Sequence, residues 1–406
     1  MHDEQQKLSA DYTDHTDFLK ADGRLLQPKA IQLNCLTRNL RNRCNLRIVF
    51  VAYRASTGVN IKTMTKLVLT FAIAVLTVIL HTGAMAQEQQ FASLGDFKLE
   101  SGEVIRDCRI GYRTFGKLNE AKSNAVLFPT WASGTTEQLK GNVGPSGLVD
   151  PDKYYVILID ALGNGVSSSP SNSKLQARMN FPKFTLADTV RTQHEVVTRA
   201  LGLNHLHAVM GISMGGMQTF QWAIAYPDFM NLMIPIVGSP QLAPYDLLLW
   251  QAQLDAIMND RGWNNGDYTE NPARAAEAEF ASLLLTTPDN YNKQMTRNQF
   301  FAELEKSKKN SHFDANDKVR QVQAMMSLDI AAGFGGSLER AAAAVKAKAF
   351  IVVAKLDHVV TPGPALEFAR LKGAKLMVLQ GDCGHQAPGC EAKQVNPAVR
   401  DFLAGN

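Results

Sequence analysis

Ser213 lies at the centre of Gly211-Ile212-Ser213-Met214-Gly215, with Gly216 behind it. Small residues two positions either side of a serine permit a strained strand-to-helix turn that lifts the hydroxyl clear of the backbone. The flanks suit such a turn, because 206–210 reads as an apolar strand and 217–226 as a helix. The N–H of Met214 then opens a helix and can hold a developing oxyanion. A bare G-x-S-x-G string occurs often by chance, and a serine in a glycine-rich turn is the plain alternative. Strand and helix on either side make the pattern specific. The chemistry implied is attack on an acyl carbonyl through a serine-bound intermediate.

A serine hydroxyl is a poor nucleophile without a base, and the base needs a group that holds it. After such an elbow the chain order is Ser, acid, His. Residues 349–354 read as a strand running into Lys355-Leu356-Asp357, and 376–379 as the next strand, followed by Gly381-Asp382-Cys383-Gly384-His385. Asp357 and His385 are therefore the expected acid and base, on the same sheet rim as Ser213. His358 and Asp382 compete by position, and an aspartate at a strand end often only caps a turn. Asp160 also follows a strand, but it precedes the serine and reads as structural. His194, His205, His207 and His312 fall in helix, strand or inserted helical patterns. The second oxyanion donor is expected in the loop 129–136, from the N–H of Trp131 or of Ala132, with both left open. No metal and no cofactor enter this set.

The elements that would position these residues are those of an α/β protein. Segments 97–99 and 108–115 look like an opening antiparallel hairpin. Short apolar runs follow at 125–128, 154–159, 207–210, 232–237, 350–354 and 376–379. Continuous apolar strands suit a sheet buried on both faces, and helical stretches at 185–201 and 217–226 alternate with them. The expected fold is a mostly parallel, doubly wound sheet. The alternation stops over 241–338, where helical patterns occupy 245–258, 272–285, 297–308 and 319–332, with Trp250 and Trp263 among them. That segment lies between two core strands. The expected division is a core of 87–240 and 339–406, with 241–338 inserted as a helical lid.

The front of the chain differs in kind. Lys66 flanks an uncharged apolar run of 14 residues, 67–80, and Ala84-Met85-Ala86 supplies a small-x-small site before Gln87. That is the order of a secretory signal peptide over 64–86, cleaved after Ala86. Spanning a bilayer takes about 20 apolar residues, so no stable membrane anchor is expected after cleavage. Location is then periplasmic or secreted. Residues 1–63 precede the leader and have no clear apolar period, so Met64 is the expected start and 1–63 a doubtful extension. Residues 1–66 carry 11 basic and six acidic side chains, leaving 31 and 32 in the remainder despite the net charge of +4. A nearly neutral body gives no electrostatic case for nucleic acid. Cys35 and Cys44 fall in the extension. Cys383 and Cys390 bracket a Gly/Pro loop that an oxidising compartment could close as a disulfide, the alternative being two free thiols.

Taken together, these residues resemble the homoserine O-acetyltransferase family of α/β hydrolases. The likeness rests on Gly211-Ile212-Ser213-Met214-Gly215-Gly216-Met217-Gln218 with Trp222-Ala223 and Tyr226-Pro227-Asp228, and on Leu162-Gly163-Asn164-Gly165 with Ser168-Ser169-Pro170. Asp150-Pro151-Asp152-Lys153-Tyr154-Tyr155-Val156 and Phe181-Pro182 with Thr185 and Asp188 also fit. It covers 95–240 well, the Asp357 and His385 ends moderately and the lid least. The resemblance implies an α/β-hydrolase fold, a Ser213-His385-Asp357 triad and a helical lid over a tunnel. Family members are often dimers, which leaves a homodimer open.

The chain departs from that pattern in three places, one of them where Asp357 is followed by His358-Val359-Val360-Thr361-Pro362 and His385 sits between two cysteines. The family's histidine in the oxyanion loop is replaced around Thr130-Trp131. The lid segment that carries an arginine for the amino-acid carboxylate reads 277–286, EAEFASLLLT, with no Arg. Losing a bidentate carboxylate clamp removes most recognition of homoserine. Export would also separate a transferase from cytosolic acetyl-CoA. The expected activity is hydrolysis of a small-molecule carboxylic ester or related acyl bond. An acyltransferase using acetyl-CoA as co-substrate is the alternative, and a non-catalytic binding protein on the same scaffold a third.

Overall fold

The computed structural model describes residues 88–273, 275–309 and 313–405. The extension 1–63, the leader 64–86 with its cleavage point, and His312 lie outside them. Eight strands form one sheet in the order β1-β2-β4-β3-β5-β6-β7-β8. They are β1 Gln90–Lys98, β2 Val104–Phe115, β3 Ala125–Pro129, β4 Tyr155–Ile159, β5 Leu206–Ile212, β6 Met230–Ile236, β7 Lys348–Ala354 and β8 Lys375–Leu379. β1 and β2 pair antiparallel, β2 pairs antiparallel with β4, and from β4 to β8 every pairing is parallel.

The apolar runs form strands because helices cover both faces of the sheet. Alternate residues enter different cores, with Leu127, Val209, Met233 and Ile351 on one side. Val126, Phe128, Ala208, Met210, Ile234 and Val352 lie on the other. Each fully buried Val, Leu, Ile, Phe or Met among them contributes roughly 1.5–3 kcal/mol, which explains the absence of a polar alternation along these strands. β1 begins at Gln90 rather than at 97. Its pairing register shifts twice around Gly95, so no two-residue period marks the strand in the sequence.

The helices are α1 Thr136–Leu139, α2 Leu186–Glu195, α3 Met214–Ala225, α4 Pro244–Met258, α5 Ala275–Leu285, α6 Pro288–Gln294, α7 Arg297–Lys309 and α8 Ala315–Met326. After them come α9 Leu338–Ala344, α10 Gly363–Lys372, α11 Ala387–Cys390 and α12 Ala392–Leu403. α4 to α8 form the insertion between β6 and β7. Its two ends meet, since Gln241 bridges Asp329 and the Ile330 N–H donates to the Pro240 carbonyl at 3.1 Å.

The helix expected over 319–332 runs instead from Ala315 to Met326. Asp314 caps its start by accepting from the N–H groups of Asn316 and Asp317, and the Gln241–Asp329 bridge draws the following chain out of helical geometry. α12 contains Pro397 in its interior, which hid it from a periodicity reading, and α10, opened by Pro364 in its first turn, was also not expected. Among the described residues no helix is long and apolar enough to cross a membrane.

Candidate active site

β5 ends at Ile212, α3 begins at Met214, and Ser213 forms the turn between them with φ +58° and ψ −122°. A non-glycine residue held there costs on the order of 1–3 kcal/mol, so the surroundings must impose it. Two glycines let them do so. A Cβ on Gly211 would lie 2.2 Å from the Gly215 carbonyl, and one on Gly215 would lie 2.6 Å from the Pro129 oxygen. Both sites demand close backbone approach, which seats the head of α3 against the end of β3. The Ser213 N–H donates to the Ile236 carbonyl at 2.9 Å and anchors the turn to β6.

β5, β6, β7 and β8 run parallel side by side, so the loops after β5, β7 and β8 leave from one rim. His385 Nε2 lies 2.8 Å from Ser213 Oγ, and His385 Nδ1 lies 2.7 Å from Asp357 Oδ2. Asp357 Oδ1 accepts from the N–H groups of Val359 at 2.8 Å and Val360 at 3.0 Å. The Asp357 side chain is 1% exposed and that of His385 9%. A buried carboxylate so arranged keeps the proton on Nδ1 and leaves the Nε2 lone pair facing the serine hydroxyl.

The positional rivals point elsewhere. His358 is exposed. Asp382 forms an ion pair with Lys293 of α6, which holds its carboxyl below the usual range. Asp160 is buried and accepts from Thr136 N–H and Oγ1, Asn164 Nδ2 and Gln89 Nε2. Burial pushes its carboxyl up against the effect of those bonds, and it ties two loops together away from His385. His194 stacks on Tyr226 at 3.9 Å, His205 contacts Asn231 and His207 bonds the Leu403 carbonyl.

Cys383 and Cys390 are joined as a disulfide with Cα atoms 6.5 Å apart, closing the short loop that carries His385. Inside that loop Gly384 has φ +61°, and a Cβ there would come within 3.1 Å of Thr286 at the end of α5. The insertion therefore rests directly against the residue before His385. Cys108 is a free thiol buried in the core, where burial raises its pKa to about 12.

Met214 occupies the first helical position, where an N–H has no partner inside the helix. The loop after β3 faces it. There the Thr130 carbonyl accepts from Gln218 Nε2 at 3.0 Å and the Trp131 carbonyl accepts from Gly134 N–H at 3.0 Å. Among the described residues the N–H groups of Trp131 and Ala132 have no protein acceptor. The arrangement can take a carbonyl carbon at Ser213 Oγ and its oxygen among these backbone donors.

A sequence model of the alpha/beta hydrolase fold matches residues 141–388. The chain belongs to the α/β-hydrolase family. A probable esterase of Corynebacterium glutamicum is 31% identical to this α/β hydrolase over 320 residues, 75% of this chain and 91% of that one. A homoserine O-acetyltransferase of Geotalea daltonii is 29% identical over 364 residues, 79% of this chain and 98% of that one. The crystal structure of an acetylester hydrolase from Corynebacterium glutamicum superposes with a TM-score of 0.73 at 27% identity, covering 78% of this chain and 96% of its own. This α/β hydrolase stands in the homoserine O-acetyltransferase-like branch. It is an enzyme of acyl-ester hydrolysis or acyl transfer acting on a small molecule. α/β hydrolases of this type need no cofactor. Among the described residues no group of three or more His, Cys, Asp or Glu is placed to hold a metal ion.

Two positioning groups of this α/β hydrolase escaped the sequence reading. Gln218 is completely buried on α3 and ends a chain of bonds, Trp222 Nε1 to Gln193 Oε1 at 2.8 Å and Gln193 Nε2 to Gln218 Oε1 at 2.5 Å. Its grip on the Thr130 carbonyl turns the Trp131 N–H of the same planar peptide the opposite way. The helix carries Gln218, Thr219 and Gln221, so nothing in its sequence singled out Gln218. Asp246, also fully buried, caps the start of α4 at Ala243 N–H and accepts from Thr361 N–H and Oγ1 in the loop behind Asp357. Burial first, and the negative Asp357 nearby to a lesser degree, push the Asp246 carboxyl up.

Proposed function

We propose that this α/β hydrolase is an exported serine esterase that cleaves small carboxylic esters through a Ser213-His385-Asp357 triad. The single observation behind the reading is the unbroken chain of bonds from Asp357 through His385 to Ser213 Oγ. Ser213 Oγ attacks the ester carbonyl as its proton passes to His385 Nε2. The oxyanion rests on the Met214 N–H and on the Trp131 or Ala132 N–H. Collapse of the tetrahedral intermediate expels the alcohol, which takes the proton from His385. His385 then deprotonates a water that attacks the acyl-serine, releasing the acid and restoring the hydroxyl. The insertion α4 to α8 acts as a lid over this site.

Hydrolysis rather than transfer is supported by α5, whose sequence AAEAEFASLLL has no arginine to clamp an amino-acid carboxylate. The likeness to the acetylester hydrolase of Corynebacterium glutamicum favours a short acyl group. Export is supported by the leader at 64–86 and by the Cys383–Cys390 bridge, since such bridges persist in oxidising compartments. The acyltransferase reading draws on the homoserine O-acetyltransferase relative.

The two readings separate by product. Protein 87–406 given nitrophenyl acetate, with and without L-homoserine, is expected to release free acetate at a rate homoserine does not change. O-acetylhomoserine as the main product, from that ester or from acetyl-CoA, would overturn hydrolysis in favour of transfer. Export has its own check. Expression from Met64 in a bacterial host is expected to deliver protein beginning at Gln87 to the periplasm, and a product retaining 64–86 would refute it.

A further inference from the structure

The oxyanion loop carries two unfavourable features. Ser133 sits at φ +61°, and its buried Oγ has no hydrogen-bond partner. A side chain at positive φ is disfavoured by roughly 1–2 kcal/mol, and an unpaired buried hydroxyl adds to that. Something must hold this turn. The restraint comes from the insertion: Gln321 of α8 accepts from the Ser133 N–H at 2.7 Å through Oε1, and donates through Nε2 to the Leu162 carbonyl at 3.1 Å.

The amide has one orientation. Reversing it would set Nε2 against an N–H and Oε1 against a carbonyl. Gln321 is 1% exposed, and its stem packs beside Gly163, where a Cβ would meet Phe184 at 2.8 Å and Gln321 Cγ at 3.2 Å. The same face of α8 is bolted to the core one turn earlier. Asp317 accepts from Ser171 N–H at 2.9 Å and Oγ at 2.6 Å, while Arg320 donates to the carbonyls of Phe181 and Met179. Residues three and four apart share a helix face, so one stripe of α8 makes all these bonds.

We propose that Gln321 is a positioning residue for acyl chemistry. By engaging Ser133 N–H it takes the third N–H of the loop out of use and fixes the turn. The N–H groups of Trp131 and Ala132 are thereby left aimed for the substrate oxygen. The insertion thus completes the oxyanion site as well as covering it. This inference rests on the serine-esterase reading above.

The test measures the rate at which a fluorophosphonate labels Ser213, and kcat and KM for nitrophenyl acetate, in full mature protein. Gln321→Met keeps the volume and removes both bonds. Losing a whole oxyanion donor costs about 10²–10³-fold in kcat, so a misaimed loop is expected to cost about 10- to 100-fold in labelling rate and kcat, with KM within about threefold. Arg320→Met removes bonds from the same helix face without touching the loop, and is expected to lower the melting temperature while labelling stays within about threefold. Gln321→Glu is the rescue variant. Its neutral acid can accept from Ser133 and donate to Leu162, whereas its anion opposes the Leu162 carbonyl. Burial raises a carboxyl pKa, so its labelling relative to wild type is expected to be high at low pH and to fall as pH rises. Taking the ratio at each pH removes what Asp160, Arg320 and His385 contribute equally to both proteins, while Asp317, one turn from residue 321 with its carboxyl raised to about 7, repels the new anion and moves the fall to higher pH.

Labelling of Gln321→Met at the wild-type rate would overturn the proposal alone. So would equal losses in Gln321→Met and Arg320→Met, because a merely structural tie predicts that pattern. Should Gln321→Met not fold, a pH-independent ratio for Gln321→Glu would overturn it. Wild-type protein that fails to label would overturn the esterase reading and the proposal with it.

Discussion

Replacing Ser213 with Ala is expected to lower kcat for nitrophenyl acetate by about 10⁶-fold, the scale seen when a triad nucleophile is removed elsewhere. The physical reason is loss of a path rather than weakening of one. Oγ lies 2.8 Å from His385 Nε2, so its proton has an acceptor at the moment of attack. Without Oγ, the backbone donors at Met214 and the oxyanion loop can stabilise only direct attack by water, a much slower route. Folding should survive, because the Ser213 backbone is held by its N–H bond to Ile236 and by the close approach of Gly211 to Gly215. The experiment is a paired measurement of kcat and melting temperature. Activity within tenfold of wild type, with an unchanged fold, would remove Ser213 as the nucleophile.

Asp357→Asn is the second large effect, expected at about 10⁴-fold in kcat. The loss follows from hydrogen-bond bookkeeping at one carboxylate. Asp357 Oδ1 receives two backbone N–H groups, and Oδ2 faces His385 Nδ1. An asparagine has one oxygen. Keeping it against Val359 and Val360 avoids leaving two buried donors unpaired, so the NH₂ must face Nδ1. It would donate there, and the imidazole proton would move to Nε2. The ring would then point a donor at Ser213 Oγ and could no longer accept its proton. KM should change little, since the substitution leaves the pocket and the backbone donors in place. A variant with kcat within tenfold of wild type would show that Asp357 does not set the tautomer.

Much of this site could be read in advance for a definite reason. Parallel strands place the residues after their C-terminal ends on one rim, so finding the strands that end near Ser213, Asp357 and His385 nearly finds the three side chains that meet there. The elbow was legible because its demands are local, with small residues at fixed offsets between a strand and a helix. Elements that disguise their period were not legible. β1 is bulged around Gly95, and α12 carries Pro397 in its interior, where a helix seldom has one. The sequence favoured Asp357 over Asp382, but what engages Asp382 was invisible, because its partner Lys293 comes from an inserted helix 89 residues away.

The sequence by itself pointed to Ser213, Asp357 and His385 as side chains that meet on one rim, and to the mostly parallel sheet with helices inserted between two of its strands. It did so because side-chain period and turn chemistry act over a few residues. The tertiary structure alone decided that Cys383 and Cys390 come within bonding reach and how the oxyanion loop is held. Gln218 grips that loop from 88 residues away and Gln321 from 188. A buried amide finds its partner through the packing of whole elements, and no local spacing in the chain encodes that meeting.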